Sequence, residues 1–555
     1  MKVLHSLASI IYFGVFFYVT VHGKPTSVLL VPKITLDGSE HQPFAYAKTI
    51  ALPKLMQKVT KVAQAVSPTP EAAMIPQMAG TLLGDPGFVS IDPKSPITIV
   101  LFDDFEGNAP TFVMAGKLKT DSPIRKVMEE AGMAMADKKG WTIATQTPEL
   151  LAQVKDWSPL LAFAAKAPDG DMEFGGRLDP LRKEMPKIKN GMRESLADSP
   201  FEEGTQASLG KVMDVAMDEL ATMDSMKFTV LLSEKEIIGR HTVEATENSS
   251  LAKLLSSKVG GRKASAAQYL KEGGWMSMVM DMHMEGFSAY YKHLSGKLQG
   301  GFQGEFKEIL EMYDKVVVEW SKAYDGPIAL RYDLSDKAGG MNIAQIGTTE
   351  LSPEEFGKMM TDYMASTQEM MDRIELFEEM GVKYKFKSGK GKPIQGIPTQ
   401  RFSMKMQADP SVFPGGLPFS EMAYHFAFLN EHYAMASDRK ELSQLLRAIK
   451  NKKPVKNNLA KAMPLQPGQM GRWSFDIGQY AEFAIAMSGV MDEESMQKMV
   501  DGIRELKLTP VRGSMSMGSG RFSADMKIPL KTIKEGIGFM QRAQAEATPQ
   551  LPLEL

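Results

Sequence analysis

"WTIATQTPELLAQV", residues 141–154, and "HYAMASDRKELSQLL", residues 432–446, carry the same plan twice. Each is a short β-branched or aromatic run that passes through polar residues into an amphipathic helix. Aligned without a gap, Ala144 faces Ala436, Thr145 faces Ser437, Glu149 faces Glu441 and Leu150 faces Leu442. In the first copy Thr147 stands at the N-cap, with Pro148 at the first helical position.

A strand follows each unit, within "DMEFGGRLDPL" from Asp171 and "RWSFDIGQYAEF" from Arg472. Helices then lead to a strand, a turn, a strand and a helix, starting at Met226 in one case and Leu506 in the other. A third partial copy lies between them. It opens with "WMSMVMDMHMEGF", residues 275–287, and continues through "PIALRYDLSDKAGGMNIAQIGTT" with Gly339 and Gly340 in its turn. A long helix follows, with Ser352 as cap, Glu355 completing a capping box, and a stripe of Phe356, Met360, Tyr363, Met370, Ile374 and Phe377.

Hairpins alternating with helices predict an α+β fold, mainly antiparallel sheets with helices packed on one face, in two pseudo-repeated halves plus a middle segment. The expected divisions are a signal peptide at 1–23, a leader at 24–46, an N-terminal α+β half at 47–265, the middle strand–helix segment at 266–380, a C-terminal α+β half at 381–545 and a tail at 546–555. Early in the chain, "ALPKLMQKVTKVAQAV" reads as a helix, "PITIVLFDDF" and "PTFVMAGKL" as strands, and "SPIRKVMEEAGMAMADKKG" as a helix ending near Gly140.

The length of 555 residues calls for more than one domain, and 43% hydrophobic with 24% charged residues is an ordinary globular composition. Lys plus Arg total 65 and Asp plus Glu total 67, so no global field draws the chain to nucleic acid. Lys2, the apolar run 6–21 and the small-residue pattern Val21-His22-Gly23 read as a signal peptide cleaved before Lys24. The competing reading is a retained anchor, since residues 3–21 nearly span a bilayer. No stable membrane span is expected after cleavage. There is no cysteine. That excludes disulfides, cysteine nucleophiles and thiolate metal sites, and it favours a bacterial periplasm or cell envelope over eukaryotic secretion. The Asn248-Ser249-Ser250 sequon is then accidental.

The chain also resembles a loose group of exported bacterial proteins of unknown function, on its signal peptide, its strand-then-"SDRKELSQLL" element and its repeated strand–turn–strand–helix units. The resemblance implies a two-halved α+β envelope protein and transfers no catalytic residue.

Methionine at positions 276, 278, 280, 282 and 284 puts five thioethers on one strand face. Thioethers suit Cu(I), with His283 turned to the other face. Core packing is the stronger reading, because the 42 methionines are spread over helices and strands alike. A third reading has Met-faced sheets under amphipathic helices lining a groove for an apolar ligand.

The eight histidines form no tight ligand pair, and His425 with His432 read as surface residues flanking a turn. "GSMSMGSG" from Gly513 is a hairpin rather than a nucleophile elbow. "SGKGKP" at Ser388 and "GGRKAS" at Gly260 miss the phosphate-loop spacing. "DDFEG" at Asp103 and "PDGD" at Pro168 are acidic loops without calcium-loop spacing. "KYKFKSGKGK", residues 383–392, reads as an edge strand burying Tyr384 and Phe386 and showing lysines to water. The functional alternative for it is a contact for anionic glycan or lipid headgroups.

No catalytic, cofactor-binding or metal residue is therefore named, and no cofactor. The leading expectation is an exported, non-enzymatic envelope protein binding a protein partner or an apolar ligand. The alternatives are a periplasmic hydrolase of an envelope polymer and, behind it, a Met-rich copper-binding protein.

Overall fold

The structure is a computed structural model, and it describes residues 31–39, 42–102, 111–199, 203–257, 259–262, 264–299, 305–335, 341–373, 382–408, 421–488, 493–506 and 508–547. The signal segment, "DDFEG", His41, Gly339, Gly340, Ile374 and Phe377 lie outside the described residues. The fold is α+β with antiparallel strand pairing. By contact density it divides into two compact units. The first holds residues 31–191, 220–246 and 523–547, and the second holds 192–219 and 247–522.

The first unit contains β1 (Pro43–Thr49), β2 (Ile97–Phe102), β3 (Thr111–Gly116), β4 (Ala134–Lys138), β5 (Trp141–Thr145), β6 (Met172–Arg177), β7 (Met223–Leu232), β8 (Glu236–Ala245) and most of the last strand, β18 (Arg521–Pro529). Their pairings give the order β18-β8-β7-β6-β1-β2-β3-β5-β4. The second unit contains β9 (Met276–Met282), β10 (Gly326–Leu334), β11 (Met341–Thr348), β12 (Val382–Ile394), β13 (Ile397–Ala408), β14 (Glu421–Leu429), β15 (His432–Ala436), β16 (Gln469–Phe475) and β17 (Val511–Gly518). Their order is β17-β16-β9-β10-β11-β15-β14-β13-β12. Strands of the middle segment thus share a sheet with strands of the C-terminal half.

Helices packed on one sheet face were expected. In each unit they pack on that face and on the other as well. In the second unit, Val279, Ala329, Ala344, Ile346, Ala434 and Ala436 form the face under the Arg439–Lys450 helix, which contributes Leu442, Leu445, Leu446 and Ile449. Ile328, Phe402, Phe426 and Tyr433 form the opposite face, under Phe356, Met359 and Met360 of the Pro353–Arg373 helix. Alternation makes this possible, since Tyr433 and Ala434 are successive residues on opposite faces. Small side chains let one helix approach closely, while aromatic and methionine side chains fill the wider gap on the other face.

Two local readings change. Residues 123–140 are not one helix. The helix spans Pro123–Glu130 and is closed by Gly132 at φ 76°, with Gly132 N–H on Glu129 O and Met133 N–H on Met128 O, each 2.9 Å. That is a Schellman closure, and it frees residues 134–138 to form β4. Residues 43–46, read as the end of the leader, open β1. Thr147 does precede the Pro148–Gln153 helix, but its side chain makes no capping hydrogen bond. The Ser352–Glu355 capping box forms in both directions, at 2.8 and 3.2 Å.

Gly347 lies against the Tyr433 ring, where an added Cβ would stand 2.5 Å from the phenol oxygen. Tyr433 is fully buried and its hydroxyl takes a 2.8 Å hydrogen bond from Gln345 Nε2, so the ring has no room to retreat. Gly347→Ala is expected to lower stability by about 1–3 kcal/mol through overpacking, read as a lower urea midpoint with an unchanged slope.

Candidate binding groove

The Met-rich strand forms β9, but its deepest burial is on the side away from the methionines. Ser277, Val279 and Asp281 are buried, whereas Met276, Met278 and Met280 are half-buried. The methionines alternate with large neighbours across the sheet. Met276 lies between Tyr332 and Phe475, and Met278 between Leu330 and Trp473. Asp281 explains why the other face is closed. Its carboxylate accepts from Arg262 Nε at 2.7 Å and from the Arg262 backbone at 3.0 Å, so a buried charge is paired and hydrogen-bonded. Among the described residues, no group of three His, Asp or Glu side chains is arranged to hold a metal ion.

The histidines at the β14–β15 turn are not surface residues. His425 and His432 are buried, each with an Nδ1 that has no hydrogen-bond partner. Burial holds both below the usual histidine pKa, and Arg439 and Arg401 add to the effect at His425. "PDGD" is a structural knot: Asp171 accepts from Lys58 Nζ and from Leu232 N–H, each at 2.7 Å, and Asp169 pairs with Lys227.

Two clusters resemble catalytic chemistry and are closed by their partners. In the first unit, Tyr46 donates to Glu173 at 2.6 Å, and Lys48 donates to Phe163 O at 2.6 Å with its ammonium over the Phe163 ring. Burial lowers the Lys48 pKa to about 8 and raises that of Tyr46. In the second unit, Arg331 binds both Asp333 and Glu441, and burial raises the Glu441 pKa despite that pairing. These groups brace helices against sheets, since Phe163 lies on the Ser158–Ala165 helix and Glu441 on the Arg439–Lys450 helix.

An open groove of about 530 Å³ lies between the Pro353–Arg373 helix and β12. Met364, Ala365 and Phe386 supply its apolar lining, and Gln368, Glu369 and Asp372 its polar side. The alternation in "KYKFK" produces this geometry. Tyr384 and Phe386 turn toward the helix, while Lys383, Lys385 and Lys387 are exposed on the reverse face. Gln368 joins the walls, because its Oε1 accepts from Phe386 N–H at 2.7 Å and its Nε2 donates to Tyr384 O at 3.1 Å. These are groups on the outer edge of β12, whose strand partner among the described residues is β13. A smaller cleft of about 310 Å³ lies between Arg193 and Asp214, which close on each other at 2.6 Å.

The sequence reading named the strand and its two aromatics, Phe386 of the groove lining among them, but not Gln368, Glu369 or Asp372. The helical stripe with Phe356 and Met360 was the available signal, and Gln368, on which the groove depends, left none. No family model, curated protein or solved structure matches the chain.

Lys48 has a folded-state pKa of about 8 against an ordinary value of 10.5, so between those values the unfolded chain holds more protons and stability rises with pH. Lys48→Met is expected to flatten that rise, measured by urea unfolding from pH 7.5 to 10.5. Gln368→Leu is expected to leave two edge groups of β12 unmet and to promote association, measured as a concentration-dependent rise in sedimentation coefficient.

Proposed function

We propose that the chain is an exported, non-enzymatic envelope protein that binds an apolar ligand in the groove between the Pro353–Arg373 helix and β12. The observation that carries this reading is the groove itself. Its volume of about 530 Å³ falls in the range of small-molecule sites, which are mostly apolar with a few placed polar groups. Met364, Ala365 and Phe386 suit an apolar body, and Glu369 and Asp372 suit a polar or cationic head. Export is supported by the apolar run 6–21, and an oxidising compartment is compatible with a chain that has no cysteine.

We also infer that the protein is built from two copies of one module. The strand order supports this: β7-β6-β1-β2-β3-β5-β4 in one unit corresponds to β17-β16-β9-β10-β11-β15-β14 in the other. Helix pairs follow β1 and β9, and again β6 and β16. On this reading β12 and β13 are an insertion peculiar to the second copy, and so is the groove they form.

The test is titration with the uncharged fluorophore N-phenyl-1-naphthylamine. Saturable binding to the full chain is expected, weakened at least tenfold in Ala365→Trp, which fills the groove from an exposed helix position. Absence of saturable binding, or equal binding by that variant with an unchanged circular dichroism spectrum, would contradict the reading.

A further inference from the structure

The reverse face of the same insertion carries a different surface. On β12, Lys383, Lys385 and Lys387 share one exposed face, and on β13, Arg401 and Lys405 share it with them. Along a strand these side chains repeat about every 7 Å, with neighbouring strands about 5 Å away. Lys385 stands directly opposite Lys405, and a like-charge cross-strand pair destabilises a sheet. The one carboxylate on this face among the described residues is Glu421, 2.5 Å from Arg401 and 3.5 Å from Lys405. Gly389 and the half-buried Ala423 lie low between the cations, while Ser403 between them is buried.

Protection of an open sheet edge does not explain this array. Gln368 already occupies the edge groups at 384 and 386. The lysines stand on the sheet face, not along its edge. His425 stands directly opposite Arg401 on β14; burial first, then Arg439 and Arg401, lower its pKa, and Asp438 opposes them.

We propose that this face binds an acidic polysaccharide, a linear polymer bearing carboxylates. Three observations select it. The array is made of extended rows that a linear chain can follow. The Arg439–Lys450 helix lies on the same face at one end, with Arg439 on Lys392 O at 3.1 Å and Gln395 on Ser443 Oγ at 2.8 Å. An α-helix is about 10–12 Å across with its side chains, more than a lysine side chain reaches, so a flat bilayer is held off the floor. Among the described residues no exposed aromatic ring lies among the cations, since the His425 ring is buried, so single-stranded nucleic acid has nothing to stack on. Asp438, which neighbours this end, is engaged as the N-cap on Lys440 N–H.

The probe is sodium polygalacturonate, titrated calorimetrically against the full chain at low salt and then at rising NaCl. Binding is expected to weaken steeply with salt. Combining Lys383→Gln, Lys385→Gln and Lys387→Gln is expected to reduce affinity at least tenfold and to flatten the salt dependence. Stability should be equal or higher, because the Lys385–Lys405 repulsion is relieved. If the triple variant does not fold, each single substitution is expected to cost two- to threefold. No binding, or unchanged affinity in the folded variants, overturns the proposal. So does preference for phosphatidylglycerol vesicles or a single-stranded oligonucleotide over polygalacturonate. Groove binding of the naphthylamine is independent of these lysines, so the two sites fail or stand separately.

Discussion

An edge strand exposes a row of backbone donors and acceptors that must be satisfied or shielded, and at Tyr384 and Phe386 of β12 this falls to one side chain. Gln368 presents an amide to Tyr384 and Phe386 much as a neighbouring strand would. Satisfying both groups from a helix fixes the Pro353–Arg373 helix beside β12 and sets the width between them. The groove is the space left along that contact. The lysines on the reverse face follow from the same alternation that points Tyr384 and Phe386 toward the helix.

The remainder of the second unit supports this arrangement through unequal sheet faces. Alanines and Val279 on one side admit the Arg439–Lys450 helix closely. Tyr433, Phe426 and Phe402 on the other side receive Phe356, Met359 and Met360. Phe356 packs edge-on to Phe428 at 4.9 Å and against Tyr433 at 5.4 Å, which holds the helix carrying Gln368 in register. Both units also bury a charge on the strand that leads into their first helix pair. Lys48 on β1 meets a carbonyl and a ring, and Asp281 on β9 meets Arg262. Each is satisfied locally and sits within packing, which is why neither builds an open site.

Much of the local structure was legible because it rests on short-range patterns. The Ser352–Glu355 capping box, the alternation at 383–387 and the strand–helix plan at 141 and 432 all depend on neighbours a few residues apart. Depth of burial was less legible. The methionines of β9 gave the stronger apolar signal, yet Ser277 and Asp281 are the more deeply buried, because burial depends on which helix packs closer. His425 and His432 looked like polar turn residues and are enclosed by strands and helices from elsewhere in the chain. Gln368 could not be singled out, since its role depends on an edge sixteen residues away. Sheet order also lay beyond the sequence, because β9 pairs with β16 across nearly two hundred residues.

Native mass spectrometry on the full chain, isolated from its host without added ligand, tests most directly whether the groove is a binding site. The expected spectrum shows an extra mass of small-molecule size that is shed on collisional activation and is missing from Ala365→Trp prepared in parallel. A single unliganded mass in both proteins, or the same adduct on both, would contradict a ligand held between the Pro353–Arg373 helix and β12.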